Sequence, residues 1–160
     1  MAKEKFAKTQ AIRVLEEQGV SFFLHSYRYV DRGGTEAAAK ALHVDEHLVV
    51  KTLIMETDQG EPLILLMHGD RKASTKALAR QLGIKKVRPC DPATAHRHTG
   101  YLVGGISPFG TRKKMKVLME ATIGGLPRIY INAGRRGLMA EMNPEDLVKI
   151  LDPLPVHVAV

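Results

Sequence analysis

Apolar positions recur along this chain with two periods, near 3.6 and near 2, and their alternation outlines the elements. Across residues 9–18, Ile12 and Leu15 fall three apart, Thr9 can accept as an N-cap, and Gly19 can close the far end. That spacing predicts a first helix. The run SFFLHSYRY, residues 21–29, is dense in aromatics and predicts a strand. A short helix is predicted over residues 36–42, with Thr35 as its cap and Glu36 in the first turn, where the helix dipole favours an acid.

The runs LVVKTLIM and PLILLMH are separated by a turn-like AspGlnGlyGlu at 58–61, which predicts a hairpin at the centre of a sheet. Within the first run, Val49, Lys51, Leu53 and Met55 share one face, while Val50, Thr52 and Ile54 share the other. Neither face is polar. A central strand of this kind has no solvated side for an ammonium, so Lys51 must be paired, snorkel to water or line a cavity. The alternative is an edge strand whose lysine simply lies in solvent.

Residues 74–82 predict a basic helix with Leu78 and Leu82 on one face and Gly83 at its end, and Asp91-Pro92 opens another short helix. After a glycine-rich stretch at 100–110, KVLMEAT and RIYIN predict strands, and LMAEM a shorter one. Asn143 as N-cap, Pro144 at the first helical position, and Glu145 and Asp146 in the first turn then specify a final helix. Strands and helices mixed in this order imply an α/β or α+β architecture around one sheet. No repeat, low-complexity tract or linker divides residues 1–160, so one domain is expected.

Composition narrows the class. With 44% hydrophobic and 26% charged residues the chain can bury an ordinary core, and disorder is expected only at its ends. Cys90 is the single cysteine, so an internal disulfide and a thiolate zinc cluster are both ruled out, which suits a reducing cytoplasm. The N-terminal MAKEKFAKTQ is too charged for a signal peptide, and no apolar run approaches the ~20 residues that span a bilayer. The net charge of +7 favours a polyanionic partner. Its cations cluster at Arg71/Lys72/Lys76, Lys85/Lys86/Arg88, Arg112/Lys113/Lys114/Lys116 and Arg135/Arg136. These groups form either a converging phosphate-binding rim or four separate solvated faces.

The candidate chemistry is sparse. The loop GlyTyrLeuValGlyGlyIleSerProPheGly at 100–110 has the glycine content of a segment whose backbone approaches a ligand, yet it matches neither a P-loop nor a dinucleotide fingerprint. A second segment, AsnAlaGlyArgArgGlyLeu at 132–138, follows a predicted strand and reads as a backbone-donor loop. Among the seven histidines only His96 and His98 stand close together, and they would point to different sides of a helix, so no metal or other cofactor is expected. There is no GxSxG elbow, and Cys90 has no local base, which disfavours a serine or cysteine hydrolase.

ValValLysThrLeu at 49–53, the loop at 100–110 and AlaGlyArgArgGlyLeu at 133–138 together resemble, in order and spacing, the YbaK/prolyl-tRNA-synthetase editing-domain family. Tyr27 in LeuHisSerTyr, the GlyAsp at 69–70 and AsnProGluAspLeu near the end extend the likeness, and the TyrLeuValGlyGlyIleSerPro run is similar to that of the free-standing YbaK proteins. The resemblance implies a mixed sheet curled toward a barrel and surrounded by helices. It implies an aminoacyl-tRNA deacylase that removes cysteine from mischarged tRNA(Pro), and from tRNA(Cys) in the same manner, with prolyl-tRNA synthetase as a candidate partner. Lys51 would be the essential lysine. Tyr27, Gly104, Gly105, Ile106, Ser107, Pro108, Asn132 and Gly134 would bind substrate, and Arg71, Lys72, Lys113 and Lys114 would bind tRNA. The implied chemistry uses the substrate's own thiolate, which attacks its carbonyl and leaves as a thiolactone. Asn132, where relatives often carry serine, and Met139, where some carry aspartate, depart from the pattern and bear on selectivity. A deacylase for another small amino acid such as alanine, and a non-catalytic module binding tRNA or a synthetase, remain the alternatives.

Overall fold

The two apolar runs do form a hairpin, and the remaining elements are assembled around it. The structure is a computed structural model and describes residues 7–160. Eight strands occur in it: β1 (Phe22–Ser26), β2 (Val49–Thr57), β3 (Pro62–His68), β4 (Val87–Pro89), β5 (Lys116–Glu120), β6 (Ile129–Arg135), β7 (Leu138–Met142) and β8 (Leu154–Val156). Five helices accompany them: α1 (Gln10–Glu17), α2 (Gly34–Leu42), α3 (Thr75–Leu82), α4 (Pro92–Thr99) and α5 (Pro144–Leu151). One sheet runs in the order β1-β7-β6-β2-β3-β5-β8, with β4 added to β2 off this path. It is mixed, as expected: β2–β3, β6–β7 and β1–β7 are antiparallel, while β2–β6, β3–β5 and β5–β8 are parallel.

Both faces of the central hairpin are covered. Val50, Ile54, Ile64 and Leu66 pack into a core with α1, α4 and α5 through Leu15, Ala95 and Leu147. The opposite face carries Met55, Leu63, Leu65 and Met67, under Leu78 of α3 and the C-terminal Val156 and Val158. Burying each of these large side chains stabilises the fold by about 1.5–3 kcal/mol relative to exposure. All seven residues of β3 are buried. A charge among them has to find an opening.

Local signals placed most of the helix ends. The Thr9 hydroxyl accepts from Ile12 N–H, Ser74 from Ala77, and Asp91 from Thr94, while Asn143 accepts from Glu145. Thr35 is the exception. It lies inside α2, whose N-cap is Gly33 with no side-chain cap bond, and its hydroxyl turns toward Glu46 and Gly69 instead. The predicted strand over 21–29 stops at Ser26, and residues 27–33 cross to α2 as a loop. KVLMEAT leaves the sheet at Glu120 and continues as a 3-10 turn, Ala121–Gly125. Segment 132–138 is not a loop: β6 runs on to Arg135, with a bulge between Asn132 and Arg135, and returns tightly as β7. Two short strands, β4 and β8, carry too few residues to give a periodic signal. The C-terminal end is tied to the rest of the fold: the Glu120 carboxylate accepts from Val158 and Ala159 N–H, and the Lys72 and Val160 backbones pair. The N-terminal end, residues 1–6, lies outside the described residues. No helix among the described residues is long and apolar enough to cross a membrane.

Candidate active site

The sheet leaves a slot beside Lys51. On one side β3 pairs with β2 continuously from Val50 to Glu56. On the other, β6 meets it only at Val49 and Val50, and β4 only from Met55 to Thr57, with Cys90 N–H donating to the Ile54 carbonyl. Between those contacts, Lys51, Thr52 and Leu53 have no strand on that edge of β2. A cavity of about 460 Å³ opens there, within the usual range for a small-molecule site. Its walls are the loop after β1, the start of α2, the Gly-rich loop after α4, and the β6–β7 hairpin.

Lys51 lines this cavity half-buried, with its Nζ 3.5 Å from the Gly69 carbonyl oxygen, a long hydrogen bond. Burial holds its pKa below the ordinary lysine value. Glu46 and then Asp70 act against that shift, and Lys72 adds to it. Thr52, the next residue, also lines the cavity. Its Oγ1 is buried and, among the described residues, meets no hydrogen-bond partner. Leaving a buried hydroxyl unpaired costs about 1–3 kcal/mol.

Tyr27, Gly104, Ile106 and Asn132 reach the cavity together with Lys51. Burial, and secondarily the neighbouring Tyr29, push the Tyr27 phenol upward, against a backbone hydrogen bond from Gly137. Gly104 is the third residue of a turn closed by Gly105 N–H to the Leu102 carbonyl, and its φ of +92° suits glycine. The loop is fastened from within. The buried Tyr101 hydroxyl donates to Phe109 O at 2.5 Å, and burial pushes this phenol up to about 12.

Gly105, Ser107, Pro108 and Gly134, expected to bind substrate, do not line the cavity. A Cβ on Gly105 would fall 2.7 Å from the Arg136 backbone nitrogen, because this glycine packs against the hairpin. The Ser107 side chain is fully buried and accepts from Phe109 N–H, and Pro108 is buried beside it. Gly134 donates its N–H to Asn132 Oδ1 at 2.7 Å, so it offers no free donor. Asn132 itself is a brace: its Oδ1 also accepts from Arg135 N–H, and its Nδ2 donates to the Gly104 carbonyl.

Arg71, Lys72, Lys113 and Lys114 are exposed and lie outside the cavity. Lys72 is close enough to Lys51 to act on it, whereas Lys113 stands by His98 at the end of α4. Sequence reasoning missed Tyr29, Asp31, Arg32 and, as an individual, Arg136. Arg136 lies over the Tyr29 ring at 5.1 Å and donates from Nε to the Val103 carbonyl, closing one side of the mouth. The doubled arginine in a glycine segment was the available signal.

No histidine, serine or cysteine lines the cavity among the described residues, so its threonine and tyrosine hydroxyls have no imidazole base. Cys90 lines a smaller adjoining pocket, and burial pushes its thiol up, away from the thiolate. His47, His68 and Asp70 form the one group of described residues close enough to hold a metal ion. Their ligand atoms are engaged with one another and with their surroundings. The His68 ring nitrogens contact the His47 carbonyl and Thr122 Oγ1, and His47 Nδ1 meets Asp70 at 2.9 Å. The cluster is therefore a hydrogen-bonded stack, with the two rings 3.9 Å apart.

Fold and cavity define a mixed-sheet α/β domain that holds one ammonium on the floor of a glycine-walled pocket. Residues 32–150 match the model of a family described as the aminoacyl-tRNA editing domain, and the chain belongs to that family. It is an enzyme, an aminoacyl-tRNA deacylase. Over 152 residues, 94% of this chain and 93% of the relative, it is 28% identical to EbsC of Enterococcus faecalis, a candidate Cys-tRNA(Pro)/Cys-tRNA(Cys) deacylase. The crystal structure of a hypothetical protein superposes with a TM-score of 0.86 at 22% identity, covering 95% of this chain and all of that one. That of a candidate trans-editing enzyme for prolyl tRNA synthetase gives 0.82 at 19% identity, covering 97% and 99%. Both structures share the fold.

Proposed function

We propose that the protein acts in trans, in the cytoplasm, to remove cysteine from mischarged Cys-tRNA(Pro), and from Cys-tRNA(Cys) by the same chemistry. The observation that carries this reading is the half-buried Lys51 ammonium on the floor of a cavity with no histidine, serine or cysteine in its walls. Such a site suits a substrate that brings its own nucleophile. The cysteinyl thiolate attacks the ester carbonyl, a carbon–sulfur bond forms, and the carbon–oxygen bond to the ribose breaks. The thiol's proton ends on the ribose oxygen, and the amino acid leaves as a cyclic thiolactone that water later opens. Lys51 stabilises the negative charge that develops on the carbonyl oxygen, where a preorganised donor acts most strongly. Among the described residues, no acceptor meets the backbone N–H of Gly104 or Ile106, and these are the loop donors proposed to assist it. The name of EbsC supports the cysteinyl substrate, and that of the trans-editing enzyme supports prolyl-tRNA synthetase as partner. Arg71, Lys72, Lys113 and Lys114 are proposed to neutralise phosphates of the acceptor stem.

The test is deacylation of Cys-, Ser- and Ala-tRNA(Pro) and of Cys-tRNA(Cys) by wild type and Lys51→Ala. Cysteine should be removed fastest and serine far more slowly. Equal rates on serine would sink the thiol mechanism, and a preference for alanine would replace the substrate. Removing one preorganised donor typically costs ~2.7–4 kcal/mol, so Lys51→Ala should lose about 10²–10³ in rate while melting like wild type. More than about a tenth of wild-type activity remaining would reject the role of Lys51.

A further inference from the structure

Thr35 lines the cavity and Glu46 is hydrogen-bonded to it from outside, and neither belongs to a motif that announced the site. The Thr35 hydroxyl is 2.7 Å from Glu46 Oε2 and 3.1 Å from the Gly69 carbonyl oxygen, the same oxygen that Lys51 Nζ approaches. A hydroxyl has one proton for these two acceptors, and the shorter, charged contact is the stronger. We propose that Thr35 and Glu46 are positioning residues for Lys51: the Glu46 carboxylate accepts the Thr35 hydroxyl's hydrogen bond, which leaves the Gly69 carbonyl oxygen to hold the ammonium in the cavity. This rests on the assignment of Lys51 above.

The cradle is built closely. Gly69 N–H donates to the Val49 carbonyl at 2.6 Å, tying this residue to the start of β2 at the end of the hairpin. A Cβ on Gly69 would lie 2.8 Å from Thr35 Cβ and 2.9 Å from the Glu46 carbonyl oxygen, so only glycine lets these two close in. Glu46 opens a 3-10 turn, Glu46–Leu48, that is tied to the segment after β3 by the His47–Asp70 contact and by the stacking of His47 on His68. A carboxylate on so fixed a turn keeps its distance from the amine.

The same arrangement sets the charge around Lys51. Glu46 on the turn acts on it most strongly of the charged groups and Asp70 next, both favouring the ammonium, while Lys72 and burial oppose it. Across the cavity stand Asp31, Arg32 and Arg136, with the phenols of Tyr27 and Tyr29. Removing the Glu46 charge therefore moves the Lys51 titration to lower pH, and removing that of Lys72 moves it higher.

Two readouts test this on the full chain. The rate at which acetic anhydride labels Lys51, read by mass spectrometry of its peptide across pH, reports the amine's titration without reference to activity. Steady-state deacylation of Cys-tRNA(Pro) reports kcat and KM. Glu46→Gln and Thr35→Val should lower kcat about tenfold, with KM within about twofold, because the affected interaction is spent in the transition state. Glu46→Gln should also shift the labelling midpoint down and Lys72→Met shift it up, and Thr35→Ser should restore the wild-type kcat. If Glu46→Gln and Thr35→Val melt like wild type and keep its midpoint and kcat, the proposal is overturned. If they melt lower and Thr35→Ser fails to restore kcat, the residues are structural and the proposal again falls. A shifted midpoint with unchanged kcat upholds the link to Lys51 and removes Lys51 from the chemistry instead, a result that Lys51→Ala would show independently.

Discussion

The two glycine-rich segments, 100–110 and 132–138, look alike in composition and do opposite things with their backbone. In the first, Gly104 turns the chain at φ +92° on the cavity wall, and its carbonyl is held by Asn132 while its N–H meets no acceptor among the described residues. In the second, Gly134 has nearly the same φ, +97°, but its N–H is taken by Asn132 Oδ1, as is that of Arg135. One asparagine consumes the donors of one segment and fastens the other from its carbonyl side. Glycine content thus marks where a backbone bends or is closely approached, and not whether its N–H is free.

The comparison breaks most sharply at the two glycines themselves. An alanine at either position is strained, at about 1–3 kcal/mol. At Gly104 the new Cβ would fall 2.6 Å from the Tyr29 hydroxyl, pushing a tyrosine inside the cavity. Gly104→Ala should therefore lose roughly 10–100-fold in kcat/KM, beyond anything its melting explains. At Gly134 the Cβ would meet the Tyr101 ring at 2.8 Å and Thr9, behind the cavity. Gly134→Ala should melt markedly lower, while the folded protein keeps activity within about threefold of wild type. Reversed outcomes in paired melting and deacylation assays would mean that the second segment carries the donor.

A smaller effect is expected from dividing the work of Asn132. Asn132→Asp keeps an oxygen for the N–H groups of Gly134 and Arg135 and loses the Nδ2 donor to Gly104. It should melt close to wild type and lose about tenfold in kcat, whereas Asn132→Ala should also lose ~1–3 kcal/mol in chemical denaturation. Equal stability of the two variants would show that the bulge does not depend on this side chain.

The smallest effect belongs to Arg136. Arg136→Lys removes the Nε donor to Val103 and weakens the stacking on Tyr29 while keeping the charge. A loss of about 0.5–1 kcal/mol, seen as a two- to fivefold rise in KM with kcat unchanged, is the expected result. A fall in kcat instead would mean that the loop's position, and not the shape of the mouth, depends on this contact.

Much of this molecule was legible before its structure because the deciding interactions are short in sequence. Thr9, Ser74, Asp91 and Asn143 cap helices through N–H groups two or three residues away, and the β2–β3 hairpin closes across a turn of four residues, 58–61. Lys51 stood out for the same reason, since alternation alone placed an ammonium on a strand with no polar face. The errors have a common cause as well. Thr35 was read as a cap, but Glu46 and Gly69, 11 and 34 residues away, offered its hydroxyl stronger partners. The hairpin at 132–138 was read as a loop, because a bulge is set by strand pairing and leaves no period in the sequence.

What the sequence determined by itself was therefore most of the longer elements, several of their caps, and one lysine on a strand without a polar face. Tertiary structure decided what that lysine faces. β6 leaves β2 after Val50 and β4 joins it only at Met55, and the interval opens the cavity at Lys51 and Thr52. Tertiary structure also decided what fastens the first glycine segment, since Asn132 Nδ2 donates to the Gly104 carbonyl across 28 residues of chain. The division follows from range: propensity, capping and alternation act between near neighbours, whereas an opening in a sheet exists only once strands distant in sequence have paired or failed to pair.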